Sequence, residues 1–277
     1  MARLLFWNTY GRDLSADIAH ICSERNVDIC ITCENAASTR NNTLNALNST
    51  CSRTYHCPLN LSSRLEFFAA FPVGSITSLY DSNTIAIRHI NHPLGVSLHL
   101  IAVHLPSESG YDELDQTLFA TRLRQEISHE LSKHKPAPII AIGDFNMDPF
   151  HPGLRNSEGF HAVMDKRIAE QRSRVIQGVE RTYLYNPMWS YMGDMSSGPP
   201  GTYFYRGSTP DEVFWHTYDQ VLISPDLVEC LDHGGLHVIT SHKYGSLANR
   251  HSRPDSNNYS DHFPIFCELK LERKTAI

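Results

Sequence analysis

The 277-residue sequence has no uninterrupted apolar run approaching the ~18 residues that a membrane-crossing helix requires. It also lacks an excess of positive charge. Its 24 Lys and Arg stand against 30 Asp and Glu, a formal net charge of −6 with His neutral. That balance excludes a protein that holds nucleic acid mainly through a basic surface, because neutralising a row of phosphates takes clustered cations. The 16 His qualify this below about pH 6.5, where imidazoles gain charge. After Met1-Ala2-Arg3 only four apolar residues precede Asn8, short of the ~7–15 that a secretory leader's core needs. The seven Cys fall at irregular spacings and, without such a leader, read as reduced thiols of a cytoplasmic protein. Internal repeats, low-complexity tracts and dividing linkers are absent too, so residues 1–277 are expected to form a single domain.

What is present is alternation. Short runs rich in Val and Ile predict strands at Leu4 to Trp7, Val27 to Thr32, Ser75 to Tyr80, Thr84 to Arg88 and Val96 to Val103. Further strands are expected at Pro138 to Ile142, Tyr218 to Ile223, Leu236 to Thr240 and Pro264 to Leu271. Asp13 is placed to cap a helix that carries Leu14, Ile18, Ile21 and Cys22 on one face. A second helix spans Tyr111 to Leu131, where Leu114, Leu118, Leu123, Ile127 and Leu131 recur at helical spacing. A third is expected within His161 to Gly178, and Gly153, Ser196 to Gly201 and Ser252 to Ser260 read as loops. Many strands with a few helices between them argue for a mixed α/β fold around a large core.

Five apolar runs end in polar residues that suit a core poorly. Leu4-Leu5-Phe6-Trp7 meets Asn8, and Asp28-Ile29-Cys30-Ile31-Thr32-Cys33 meets Glu34. Leu100-Ile101-Ala102-Val103 meets His104-Leu105-Pro106, Ile139-Ile140-Ala141-Ile142 meets Gly143-Asp144-Phe145-Asn146, and Tyr259-Ser260-Asp261-His262-Phe263-Pro264 precedes the last strand. Any one of these alone reads as a strand cap or turn former. Five together supply the Asn, Asp, Glu and His that a sheet edge presents to a ligand. Hard oxygen donors with His suit Mg²⁺ or Mn²⁺ and phosphate chemistry better than a thiol-rich zinc site.

The ordered set Asn8, Glu34, His104, Gly143-Asp144-Phe145-Asn146, Asp219 and Ser260-Asp261-His262 resembles the endonuclease/exonuclease/phosphatase superfamily, with its DNase I-like fold. The resemblance runs from residue 4 to residue 271, and its strongest strings are GDFN and SDHFP. It implies a four-layered α/β/β/α sandwich of two mixed β-sheets, with the site at one sheet edge. It also implies an Mg²⁺- or Mn²⁺-dependent phosphoric ester hydrolase. By the same resemblance Glu34 is the principal metal carboxylate, helped by Asn8 and Asp261. His262 is the catalytic histidine, oriented by Asp219, and Asn146 and His104 contact the phosphoryl oxygens as charge develops. Asp144 and His262 remain joint candidates for the base that activates water.

Departures from the family's subgroups are visible. Phe68-Ala69-Ala70-Phe71-Pro72 lacks the polar pair that DNase-like members carry before this Phe-Pro step. Tyr10 stands where abasic-site endonucleases tend to have an acid, and Thr217-Tyr218-Asp219-Gln220 replaces the string typical of inositol-polyphosphate phosphatases. The CxxC at Cys30 and Cys33 sends its thiols to opposite strand faces, which argues against zinc or redox use. Lys166, Arg167, Arg172, Arg174 and Arg181, interleaved with acids, read as a solvated helix face, with a nucleic-acid groove contact as the alternative. Tyr203, Phe204, Tyr205, Phe214, Trp215 and Tyr218 serve equally as core packing or as a base-stacking platform. Arg250 and Arg253, beside His251, form either an ordinary surface loop or contacts to substrate phosphates.

The expected partner is a nucleic acid substrate, without a membrane. The alternatives are a phosphatase or phosphodiesterase for a small or lipid phosphate, and a catalytically inert binding module. The last is disfavoured because each chemically demanding position carries a competent residue type.

Overall fold

The computed structural model describes residues 1–93, 95–107, 111–195, 197–232 and 234–271. The chain opens with β1 (Ala2–Asn8), α1 (Ser15–Arg25) and β2 (Ile29–Cys33), the two strands parallel. Helix α2 (Thr39–Thr50) leads to β3 (Leu65–Ala69), which runs antiparallel to β2. Three antiparallel strands follow: β4 (Ile76–Asp81), β5 (Ile85–Asn91) and β6 (Ser97–His104). Helix α3 (Glu113–Ser132) then crosses to β7 (Ile139–Asp144), parallel to β6. The next segment holds α4 (Pro152–Arg155), β8 (Ala162–Val163), α5 (Lys166–Glu170), the hairpin β9 (Ser173–Ile176) and β10 (Val179–Thr182), and β11 (Leu184–Tyr185). Strands β12 (Tyr203–Phe204) and β13 (Trp215–His216) pair beside β14 (Asp219–Ile223). Last come β15 (Leu236–Val238), the small pair β16 (Ser241–His242) and β17 (Gly245–Ser246), and β18 (Ile265–Leu269).

Two large mixed sheets result. One has the order β15-β18-β1-β2-β3 and the other β4-β5-β6-β7-β14-β11-β8. Strand periodicity sorts their side chains. Leu4, Phe6, Ile29, Ile31 and Phe67 point inward and meet Ala86, Leu100, Ala102, Ile140, Ile142 and Val221 of the second sheet. Leu5, Trp7, Cys30 and Phe68 point outward beneath Ile18, Ile21 and Leu47 of α1 and α2. On the far side Ile87, Ile101, Val103 and Ala141 lie beneath Ala120, Leu123 and Ile127 of α3. The layering is α/β/β/α, as the family resemblance implied, and strands covered on both faces read as unbroken apolar runs for that reason. Cys30 and Cys33 do face opposite ways, one under the helices and one between the sheets. No helix among the described residues is long and apolar enough to cross a membrane.

Several local expectations are corrected. Helix α3 turns Gln116, Ala120, Leu123 and Ile127 inward, while Leu114 and Leu118 stay exposed. The inward place is held by Gln116 because its Nε2 donates to the Asn146 carbonyl at 3.0 Å. The helix expected within part of His161 to Gly178 is present as the five residues of α5. Arg172 turns left-handed at φ +72°, and Gln177-Gly178, at +50° and +80°, closes the β9–β10 hairpin. Its basic residues are nonetheless solvated, with Arg172 paired to Asp226 and Arg181 to Glu158. Gly153 lies within the single turn of α4, where a Cβ would meet Met147 Sδ at 2.8 Å. Asp13 accepts from the Ser15 N–H at 3.1 Å, one residue before the assigned N-cap Leu14. Helix α2 and strand β3 were not expected. The inward positions of α2 are Thr39, Thr43 and Leu47, too polar to show an apolar stripe. Ser196, at the head of the loop expected to Gly201, lies outside the described residues.

Candidate active site

Sheet register assembles the site before any side chain is considered. Parallel pairing of β6 with β7 sets His104 opposite Asp144, and antiparallel pairing of β7 with β14 sets Asp219 opposite Asp144. The three therefore form a row across one end of the seven-stranded sheet. In the other sheet β1 and β2 run parallel, so Asn8 and Glu34 emerge at one end, and β18 returns antiparallel to β1 just after His262. Gly143 makes the row possible. With φ +155°, any Cβ there would lie 1.9 Å from the Val103 carbonyl oxygen, inside the β6–β7 pairing. That accounts for the first letter of GDFN.

Hydrogen bonds lock the polar ends together. The Asn8 amide donates both to Glu34 Oε1 at 3.2 Å and to Asp144 Oδ2 at 3.0 Å. Glu34 takes a left-handed φ of +50°, uncommon for a long side chain, and its carbonyl is held by the Gly11 N–H at 2.7 Å and the Thr9 hydroxyl at 2.9 Å. His104 Nε2 lies 3.2 Å from Glu34 Oε1, so this imidazole is engaged with the carboxylate. That hydrogen bond, with help from Asn8 and against burial, holds Glu34 down at about 2. Asp144 Oδ1 accepts the Asn146 N–H at 2.9 Å. Asn146, at φ +48°, donates its own amide to the Leu105 carbonyl at 2.8 Å.

His262 is the most constrained group. Its Nδ1 lies 2.8 Å from Asp219 Oδ2, and its Nε2 lies 4.0 Å from both Asp144 Oδ2 and Asp261 Oδ1. Trp7 Nε1 donates to its carbonyl at 2.9 Å, and Ser260 Oγ accepts its N–H while donating to the Asn8 carbonyl. Tyr203 packs on the imidazole with ring centroids 4.7 Å apart. Burial opposes the charge on His262, yet Asp219 and Asp144, with Asp261, raise it to about 10. Burial pushes the Asp144 and Asp261 carboxyls up, and Glu34 adds to the rise at Asp261.

A cleft of about 1100 Å³ opens over these groups, lined by Glu34, His104, Asp144, Asn146, Asp261 and His262. Asp219 lies behind His262 and is fully buried. Arg250 and Arg253 do not line the cleft. The Arg253 guanidinium lies 3.7 Å over the Phe204 ring, and Arg250 donates to the neighbouring His251. The cleft instead carries Arg64, which sequence reading missed. It immediately precedes β3, whose Leu65 pairs with Cys33, so Arg64 stands across from Glu34. A lone Arg before an unrecognised strand offered no pattern to find. The aromatic group divides: Tyr203, Tyr205 and Tyr218 line the cleft, while Trp215 packs against the outer core.

The donors fit a hard divalent cation. Glu34 has a second oxygen, faces the cleft with its side chain 40% exposed, and is charged over the whole working range. Asp261 also lines the cleft, and the Ser260 hydroxyl lies 3.5 Å from its Oδ1. Glu34, together with burial, disfavours the charge on Asp261, so a cation between these carboxylates, beside the Asn8 amide, offsets that cost and suits Mg²⁺ or Mn²⁺. The tightest group of acid and imidazole ligand atoms among the described residues is a different one, Asp144, Asp219 and His262, within 4.8 Å of one another. There the Asp219–His262 hydrogen bond already uses one ligand atom from each partner, which reads better as a proton-handling unit.

A mixed α/β sandwich whose strand ends gather acids, amides and histidines at one edge defines a class of hydrolase-like folds. The chain matches the model of the Endonuclease/Exonuclease/phosphatase family over residues 5–262 and belongs to that family. A comparison with curated proteins finds no match. Among solved structures, truncated TDP2 from Caenorhabditis elegans is similar with a TM-score of 0.59 and 15% identity, covering 97% of this chain and 96% of that one. A family protein from Leptotrichia buccalis gives 0.58 at 14% identity, over 98% and 100% of the two chains. An AP endonuclease from Archaeoglobus fulgidus gives 0.55 at 13% identity, again over 98% and 100%. At these identities the likenesses concern the fold.

Proposed function

We propose that the protein is a divalent-metal-dependent phosphodiesterase that hydrolyses nucleic acid. The observation that carries this reading is the His104–Asp144–Asp219 row facing His262, with the imidazole tied to Asp219 at 2.8 Å beside a cleft bounded by Glu34 and Asp261. Family membership supports phosphoester chemistry. The AP endonuclease among the structural neighbours agrees with a polynucleotide substrate.

Glu34, with Asn8 and Asp261, would hold Mg²⁺ or Mn²⁺, and that cation when bound supplies Lewis-acid stabilisation of phosphoryl charge. Asp219 accepts from Nδ1–H and so fixes the direction of His262, and the imidazolium turns its Nε2–H toward the cleft. With three carboxylates around it, His262 stays cationic and stabilises a phosphoryl oxygen as negative charge develops. That leaves Asp144, held by Asn8 and the Asn146 N–H, to take the proton of the attacking water. Asn146 keeps one amide hydrogen for a phosphoryl oxygen. His104 acts first on Glu34, whose carboxylate it orients. The reading takes residues 1–277 as one domain, since both sheets share the inner core. It keeps the cytoplasmic placement, with which seven free cysteines agree. Incubating the purified protein with Mg²⁺ or Mn²⁺ against DNA, RNA and a small phosphodiester tests it. Polynucleotide cleavage is expected, whereas cleavage of a small phosphate alone would move the assignment to the phosphatase alternative.

A further inference from the structure

Five tyrosines line the cleft: Tyr10, Tyr111, Tyr203, Tyr205 and Tyr218. Against them stands one Lys or Arg among the described lining residues, Arg64. The inner tyrosines are committed. Tyr203 and Tyr218 stack with centroids 5.4 Å apart, and Tyr203 packs on His262. Tyr10 and Tyr205 are different. They are 49% and 54% exposed, with no ring partner among the described residues. Tyr10 is also held by its backbone, at φ +52° with its N–H donating to Asn8 Oδ1 at 3.0 Å. Its ring is therefore presented from the same strand end that carries Asn8.

This surface suits one form of polynucleotide. A duplex hides its base faces and is held chiefly through many phosphates, which takes clustered cations. Unpaired nucleotides offer a π-face at every base, worth about 1–3 kcal/mol each on an aromatic side chain, an affinity that does not come from cations. We propose that the cleft takes unpaired nucleotides, with bases on Tyr10 and Tyr205 and an adjoining phosphate at Arg64. On the nuclease reading above, on which this rests, the substrate is then a single-stranded stretch or end. Arg64 is placed for the phosphate, since it is exposed across from Glu34 and has no ion pair among the described residues.

The test uses the full chain with Mg²⁺ and with Mn²⁺. Substrates are a labelled single-stranded DNA, the same sequence as single-stranded RNA, the blunt duplex of each, and bis(p-nitrophenyl) phosphate. At least one single strand should be cleaved with a kcat/KM about tenfold or more above its duplex, and the DNA and RNA arms identify the sugar. Tyr10→Ala and Tyr205→Ala should each raise KM on that strand by about 5–150-fold, well beyond their effect on the small ester. Tyr10→Phe and Tyr205→Phe should restore most of the loss, since stacking needs the ring and a phenol contact would need the hydroxyl. Duplex cleaved as well as single strand, or Ala variants equally impaired on strand and ester, overturns the proposal alone. Hydrolysis of the ester without any attack on nucleic acid overturns the polynucleotide reading and this proposal together. No hydrolysis of any substrate overturns the phosphoesterase reading itself.

Discussion

His262 owes its character to the carboxylates around it. An imidazole this buried would ordinarily shed its proton, yet Asp219 at 2.8 Å, with Asp144 and Asp261 at 4.0 Å, holds it charged up to about 10. Asp219 and His262 then form one unit. Asp219→Ala and His262→Ala should each lower kcat by about 10²–10⁴-fold, and the double variant should cost little more than the worse single one. Steady-state kinetics on the four proteins decide this, and losses that multiply would show independent roles. Glu34 makes a different demand. Glu34→Gln keeps the volume and removes the charge, so the Mg²⁺ concentration for half-maximal activity should rise at least about tenfold. Because Glu34 also accepts from Asn8 and His104 but sits half-exposed at a strand end, urea unfolding of the variant without metal at neutral pH should lose only about 1 kcal/mol.

Between β6 and β7 Gly143 leaves no room for a side chain, and this pairing aligns His104 with Asp144. Gly143→Ala puts a methyl 1.9 Å from the Val103 oxygen, so the strands must separate. A loss of more than about 3 kcal/mol in denaturant unfolding is expected, with activity lost in the remaining folded fraction. A second element-level device ties β13 to the loop after β7. His216 Nδ1 meets Asp148 Oδ2 at 2.8 Å, and its Nε2 meets Glu212 Oε1 at 3.2 Å. Burial opposes the imidazolium, but the Asp148 and Glu212 bonds raise it above its ordinary value. A raised folded-state value makes the contribution complete below about pH 6.5, the unfolded value, and removes it as pH climbs through the folded one. Wild type should therefore exceed His216→Gln by about 1–2 kcal/mol at mildly acid pH, with the gap closing toward alkaline pH. Urea midpoints across the pH series measure it.

For the molecule as a whole, charge sets the limit. A net −6, and a single Lys or Arg among the described residues lining the cleft, leave little long-range attraction for a polyanion. Plots of log kcat/KM against log salt at fixed Mg²⁺ should fall with a slope of only about −1 to −2, since each neutralised phosphate contributes roughly −0.7 to −0.9. Arg64→Ala should flatten that slope by about one such step. A steep slope would place a cationic surface somewhere other than this cleft.

The amino-acid sequence by itself determined the covered strands and their polar ends. A strand packed on both faces must be apolar throughout, so Leu4 to Trp7 and Ile139 to Ile142 announce themselves, and Asn8, Glu34 and Asp144 stand out where the runs stop. The strings around Asp144 and His262 made the chemistry legible. Tertiary structure alone decided which of those residues touch. Asp219 and His262 are 43 positions apart, Asn8 and Asp144 136 apart, and only sheet register brings them within hydrogen-bond reach. It also decided what local pattern misstates. Gln116 displaced Leu114 and Leu118 from the inner face because a carbonyl in the site loop required a donor. Arg253 settled on Phe204, and Arg64 reached the cleft, because each side chain answers to neighbours remote in sequence. Local propensity carries no information about partners that folding has yet to supply.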